Sequence, residues 1–313
     1  MRARAPASAA NLGPGLDVLA LALDLYVEVE VEPAERLSVT SDGEGADLPT
    51  DARHLAARVA SAVSGHDRLA IHVRSEVPVA RGLGSSAAIA LAAAAAAGAD
   101  DPLAVAARED GHADNAGAAF AGGLVAVNAL ERGWRVSPLP LDIGLAFVAL
   151  VPDRPLETAR ARAALPAEVP RADAVYNLGR LALLLEGLGD RRRLVPQATG
   201  DRLHQGPRTL LFAEAPGLLA ALEAGGALAA CWSGAGPTLL GICDERESKA
   251  VAGAGRAALA DAGVAGRVLE LHADVEGLVV GEDARLPARR GGARRGGARR
   301  GGARRGGARQ GPA

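Results

Sequence analysis

Val77-Pro78-Val79-Ala80-Arg81-Gly82-Leu83-Gly84-Ser85-Ser86-Ala87-Ala88 is the stretch on which the reading of this chain turns. An alternating run, with Leu69, Ile71 and Val73 against polar neighbours, leads into it and predicts a strand over 69–77. Behind it, Ala87 to Ala97 has almost ideal helix propensity. Glycines between a strand and a helix start let backbone N–H groups crowd around an anion, and the helix dipole adds positive potential. Ser85 and Ser86 add hydroxyls that can donate to a phosphate or ligate a metal bound with it. The chain's only lysine is Lys249, so this cradle is not a Walker A loop, which needs a lysine directly after its last glycine. The blander alternative is a loop that merely turns a strand into a helix.

Working outward, the bulk composition sets limits. The 313 residues suffice for two modest domains, and an apolar content of 49% with only 2% aromatics means a core of small aliphatic contacts. A net charge of −2 hides an asymmetry: from Arg289 onward there are nine arginines and no acid, which leaves −11 for residues 1–288. An acidic body gives nucleic acid nothing to hold. The tail repeats Arg-Gly-Gly-Ala-Arg and cannot bury a core, so 287–313 is expected to be a disordered appendage. An anion- or RNA-binding arm is the alternative, although no aromatic residue interleaves for base stacking. Cys231 and Cys243 lack metal or disulfide spacing. No apolar run is of bilayer length, and Asp17 and Asp24 interrupt the early one, so a cytoplasmic protein without a membrane partner is expected. A homodimer stands as an open expectation.

Strands are predicted at 2–5, 26–32, 123–128, 134–137 and 145–151, and helices at 52–64, 85–97, 102–110 and after Asp114. Residues from about Asp17 to Leu23 read as helical. Pro152-Asp153-Arg154-Pro155 looks like a junction, giving domains 1–152 and 153–286. The second half mixes helices at 171–186, 216–224 and 246–262 with strands at 228–232, 238–243 and 267–271. This irregular mixture favours an α+β fold over a doubly wound sheet.

Two further loops carry polar groups on tight turns. Pro6-Ala7-Ser8-Ala9-Ala10-Asn11-Leu12-Gly13-Pro14-Gly15-Leu16-Asp17 could face a small ligand, although Asn and Asp in turns commonly serve the backbone. Ser233-Gly234-Ala235-Gly236-Pro237-Thr238 reads either as a bulged hairpin or as a close backbone approach to a phosphate. In this order, the three strings resemble the three signature motifs of the GHMP kinase superfamily. Within it the chain looks most like the homoserine kinases. That narrower match rests on Asp110-Gly111-His112-Ala113-Asp114-Asn115, on Thr158 to Arg162, on Asp173 to Asn177 with Arg180, and on Asp201 to Arg208. The resemblance covers roughly residues 3–285.

The resemblance implies an N-terminal ribosomal-S5-like domain, a C-terminal ferredoxin-like domain, and ATP-dependent phosphorylation of the L-homoserine hydroxyl. It places the nucleotide on Pro78, Val79, Ala80, Arg81, Gly82, Leu83, Gly84, Ser85, Ser86, Ala87 and Ala88. It assigns Mg²⁺ to Ser86 and to an acid whose matching position is Asp110, one methylene shorter than the family's Glu, with Glu109 beside it. By the same analogy Asn11, Asp17, His112, Arg162 and Arg208 hold the amino acid. Thr158 sits near the reacting group, Asp114 is a possible base and Asn115 a positioning residue. The residue types suit the task, since a zwitterion needs acceptors for its ammonium and guanidinium or imidazole donors for its carboxylate.

Overall fold

The computed structural model describes residues 1–287, and the expected disordered Arg/Gly tail lies outside the described residues beyond Pro287. Seven strands make the first sheet. β1 (Arg2–Asn11) and β2 (Gly15–Pro33) form an antiparallel hairpin in register from Arg2 opposite Glu30 to Asn11 opposite Gly15. β1 therefore runs past Pro6, where the register shifts before Ala7, a place where a strand accepts a proline. The helix expected from Asp17 is instead the first half of β2. Leu19, Leu21 and Leu23 point into the main core, while Ala20 and Ala22 pack on the other face against Ala118 and Val125. A strand buried on both faces needs no polar alternation, and pairing with β1 overrides the helix propensity of Leu and Ala.

β3 (Ser38–Gly43) runs parallel to β4 (Leu69–Ser75) at the sheet edge, and β5 (Leu124–Ala129) with β6 (Trp134–Leu139) extends the sheet from the start of β2. Four helices accompany it: α1 (Leu55–Ser64), α2 (Ser85–Ala96), α3 (Pro102–Asp110) and α4 (Asp114–Ala121). α2 is packed against β1, β2 and the other three helices. Every residue of α2 except Ser86 is buried. A helix enclosed on all sides must be apolar all round, and alanine permits the closest approach. The alanine run thus fixes α2 in place, and its one unburied side chain belongs to the glycine–serine loop.

The second sheet is antiparallel throughout, in the order β10–β7–β9–β8, with β7 (Leu145–Pro152), β8 (Ala229–Trp232), β9 (Leu239–Asp244) and β10 (Gly266–Leu271). Counted within this unit, the order 4-1-3-2 is that of a split βαβ, ferredoxin-like sheet. Between β7 and β8 lie α5 (Thr158–Ala163), α6 (Arg171–Gly189), α7 (Gln205–Thr209) and α8 (Ala215–Ala224), and α9 (Ser248–Asp261) joins β9 to β10. α8 and α9 cover one face, where Leu150, Leu218, Leu222, Trp232 and Val251 form a core, and Phe212 meets Trp232 edge-on at 6.0 Å. β7 opens this second sheet, whereas β11 (Val279–Val280) returns to pair with β1 in the first. Sheet membership therefore crosses the expected boundary after Pro152 in both directions.

Candidate active site

The three glycine loops meet. The Ser233 hydroxyl donates to the Gly82 carbonyl at 2.7 Å, and Gly234 N–H donates to the Ala10 carbonyl at 2.9 Å. Ser8 N–H donates to the Leu83 carbonyl at 3.1 Å, while its hydroxyl donates to Asn115 Oδ1 at 2.9 Å. A Cβ on Gly82 would stand 2.5 Å from the Ser233 carbonyl oxygen, and one on Gly84 2.1 Å from Ser8 Oγ. Both glycines have positive φ, and so do Asn11, Asp17 and Ala80, which carry side chains. Left-handed backbone at non-glycine residues costs about 1–3 kcal/mol each and persists where surrounding contacts hold it.

A cavity of about 350 Å³ opens where these loops join. On one wall stand Val79, Ala80, Gly82, Gly84, Ser85, Ser86 and Ala87. The first ladder bond of α2 runs from Ala88 N–H to the Gly84 carbonyl. The N–H groups of Ser85, Ser86 and Ala87 therefore precede the ladder and remain available to an anion, on the positive end of the helix dipole. Pro78, Leu83 and Ala88 do not line this wall. Neither does Arg81, whose guanidinium donates to the carbonyls of Val79, Pro152 and Asp153, tying the loop to the end of β7.

Asp110, His112, Asp114 and Asn115 come from the α3–α4 junction. Burial raises the Asp110 carboxyl above the ordinary carboxylate range, opposed by His112, Arg162 and the adjacent Ser86 hydroxyl. Burial likewise raises Asp114, whose carboxylate accepts Asn115 N–H at 2.8 Å. Glu109 is turned outward onto Arg58 at 2.8 Å, so of the two adjacent acids Asp110 is the one at the cavity. His112 Nδ1 donates to the Asp110 carbonyl at 2.6 Å.

The same cavity is also lined by Asn11, Asp17, Thr158, Arg162 and Arg208. Asp17 and Arg162 are paired at 2.6 Å, and that hydrogen bond is the main reason the Arg162 guanidinium is held above its usual pKa. Asn11 Oδ1 accepts Asp17 N–H at 3.0 Å, and its amide donates to the Gly234 carbonyl at 2.9 Å. Arg208 is 2% exposed and donates to the same Gly234 carbonyl at 2.9 Å. Burial lowers its pKa to about 10, still cationic at neutral pH.

The structure thus brings together Ser86, Asp110, Asp114, Asn115, Thr158, Asn11, Asp17, His112, Arg162 and Arg208. It also brings in residues that motif reading passed over. Leu48, Leu55 and Leu156 form apolar wall, a role with no local sequence signal. His54, which no motif singles out, lines the cavity while its Nδ1 accepts Ala56 N–H at 3.1 Å to cap α1.

Comparisons with known proteins match both parts of the chain. The GHMP kinases N terminal domain matches residues 52–123 and the GHMP kinases C terminal domain matches 174–261. A homoserine kinase of Thermus thermophilus is 41% identical over 281 residues, covering 85% of this chain and 94% of that protein. One from Deinococcus radiodurans is 41% identical over 302 residues, covering 88% and 95%. The crystal structure of homoserine kinase from Cytophaga hutchinsonii superposes with a TM-score of 0.77 at 24% identity, covering 89% of this chain and 96% of that one, a likeness of fold. With an α+β architecture, a ferredoxin-like second sheet and relatives matched nearly end to end, the chain belongs to the homoserine kinase family of the GHMP kinases.

Proposed function

We propose that this cavity transfers the γ-phosphoryl group of ATP to the hydroxyl of L-homoserine, giving O-phospho-L-homoserine and ADP. One observation carries the assignment of residues: an amide-rich phosphate cradle and an opposite-charge pair, Asp17 with Arg162, line the same cavity. The loop amides and the start of α2 receive the polyphosphate. Asn11 and Asp17 accept from the substrate ammonium, and Arg162, Arg208 and His112 donate to its carboxylate. Thr158 lies beside the reacting hydroxyl.

The hydroxyl oxygen forms the new P–O bond as the bond to the bridging β,γ-oxygen breaks, and ADP leaves with that electron pair. The hydroxyl proton passes to the buried Asp114 carboxylate, whose raised pKa makes it the better acceptor, or to solvent. A loose transition state asks little of a base, so positioning and charge neutralisation carry most of the rate. Ser86 and Asp110 offer adjacent hard oxygen donors at the phosphate wall, a donor set that fits Mg²⁺ binding through one carboxylate together with substrate phosphates. Mg²⁺ held there would supply neutralisation of phosphate charge.

A cytoplasmic setting follows from this reading, since ATP is its phosphoryl donor; among the described residues no helix is long and apolar enough to cross a membrane. The test is ADP release with a panel of alcohols. Turnover of homoserine, with L-threonine and mevalonate far behind, is the expected result; turnover of mevalonate alone overturns the reading.

A further inference from the structure

The string Asp201 to Arg208 contributes more than its terminal arginine. Asp201 is held by Asn177 Nδ2 at 2.7 Å and accepts the N–H groups of Leu203, His204 and Gln205, fixing the approach to α7. His204, fully buried, follows directly. Its Nε2 donates to the Gly13 carbonyl at 2.7 Å, in the turn of the first loop, because a carbonyl can only accept. Its Nδ1 therefore carries the lone pair, and that lone pair accepts Arg208 Nη1 at 2.7 Å. Burial lowers the imidazole pKa to about 4, so the ring is neutral at working pH and the tautomer is dictated by its two partners.

Gly13 packs closely against the segment that leads into α7. Its φ is positive and a Cβ there would stand 2.4 Å from the Thr199 carbonyl oxygen, a group also held by Gln205 Nε2 at 3.0 Å. Arg208 in turn leaves Nε buried without a protein partner. Its guanidinium is thus steered from one end by imidazole and the Gly234 carbonyl, with donor capacity left over at the cavity wall.

We propose that His204 is a positioning residue, bridging the Gly13 turn to Arg208 so that the guanidinium is presented to the carboxylate of the amino-acid substrate. The bridge rests on the reading of Arg208 given above. It sets substrate affinity through Arg208 and leaves the nucleotide wall alone, because the polar contacts of His204 run to Asp201, Gly13 and Arg208.

The experiment compares KM for homoserine and for ATP in His204→Gln, His204→Asn, Arg208→Ala and the His204→Gln/Arg208→Ala double variant. Gln carries an amide donor toward Gly13 but no acceptor at the Nδ1 position, whereas Asn can keep the acceptor for Arg208. His204→Gln is expected to raise homoserine KM about tenfold with ATP KM nearly unchanged, His204→Asn less, and the effect of His204→Gln to vanish in the Arg208→Ala background. A large Arg208→Ala effect beside an unchanged His204→Gln sinks the bridge and spares the reading of Arg208. No effect of Arg208→Ala sinks both. Equal rises in both KM values mark His204 as structural only. If both His204 variants fail to fold, ¹⁵N NMR of the wild-type imidazole decides: an Nε2–H ring that does not titrate between about pH 5.5 and 8 supports the bridge, and an Nδ1–H tautomer or a midpoint near 6.5 overturns it.

Discussion

Asp17 and Arg162 meet in a two-point ion pair, Nη2 to Oδ1 at 2.6 Å and Nη1 to Oδ2 at 3.2 Å, with Asp17 held at φ 58. Opposite charges fixed side by side at a cavity wall match the two ends of an α-amino acid. Arg162→Ala should raise homoserine KM roughly 10- to 100-fold while moving ATP KM little, since a charge-assisted contact is worth about 1.5–3 kcal/mol. Steady-state kinetics with each substrate varied in turn makes the check. Parallel rises in both KM values would take Arg162 out of the amino-acid subsite.

Ser86 is the one residue of α2 whose side chain is not buried, so removing its hydroxyl opens no core void. Ser86→Ala should lower kcat about 10²-fold and leave the thermal midpoint within about a degree of wild type. Titrating Mg²⁺ against activity separates the causes. A weaker apparent Mg²⁺ affinity locates the loss at the cation, and undiminished turnover means that the cation is held elsewhere.

The glycine–serine loop and α2 were legible because strand pattern, turn chemistry and helix propensity all point the same way there. Val27, Val29 and Val31 likewise announced their half of β2, being inward residues opposite Glu28 and Glu30. The first half was misread as helix because Leu19 to Leu23 face apolar neighbours on both sides, and only the partner strand β1 makes them extended. β3, β11, α5 and α7 are short and receive their order from neighbours rather than from their own periodicity. The same limit applies to the site. Motif strings named Asp110, Arg162 and Arg208, but that Arg81 spends its donors on carbonyls and that His204 spans two loops are facts of three-dimensional contact.

Gly84 and Gly65 separate two costs that sequence alone merges. Both have positive φ, yet a Cβ on Gly65 meets nothing within 4 Å, whereas one on Gly84 meets Ser8 Oγ at 2.1 Å and Asn115 Oδ1 at 3.2 Å. Gly65→Ala should cost about 1 kcal/mol, the left-handed backbone penalty alone. Gly84→Ala adds overpacking at the junction of two loops and should cost about 3 kcal/mol, with ATP affinity falling as the cradle shifts. Urea unfolding with nucleotide titration on both variants tests the difference. Equal stabilities would mean that Ser8 yields freely and that the loops are not held together there.

Asp110 combines stability and function with opposite signs. Burial raises its folded-state pKa, so the folded protein keeps this proton to a higher pH than the unfolded chain does. Through that window the folded state binds more protons, and stability falls as pH rises. Below the ordinary carboxylate range both states are protonated and the penalty is absent. Asp110→Asn removes a buried charge, so its thermal midpoint should exceed that of wild type at pH 7, by a margin that shrinks on acidification. Activity should move the other way: wild-type turnover should fall as acid protonates Asp110, and the Asn variant should be poorly active throughout because an amide is a weak partner for a hard cation. A variant no more stable than wild type at pH 7 would mean that His112 and Arg162 already compensate the buried charge, and that this carboxylate is an ion-pair partner rather than a strained ligand.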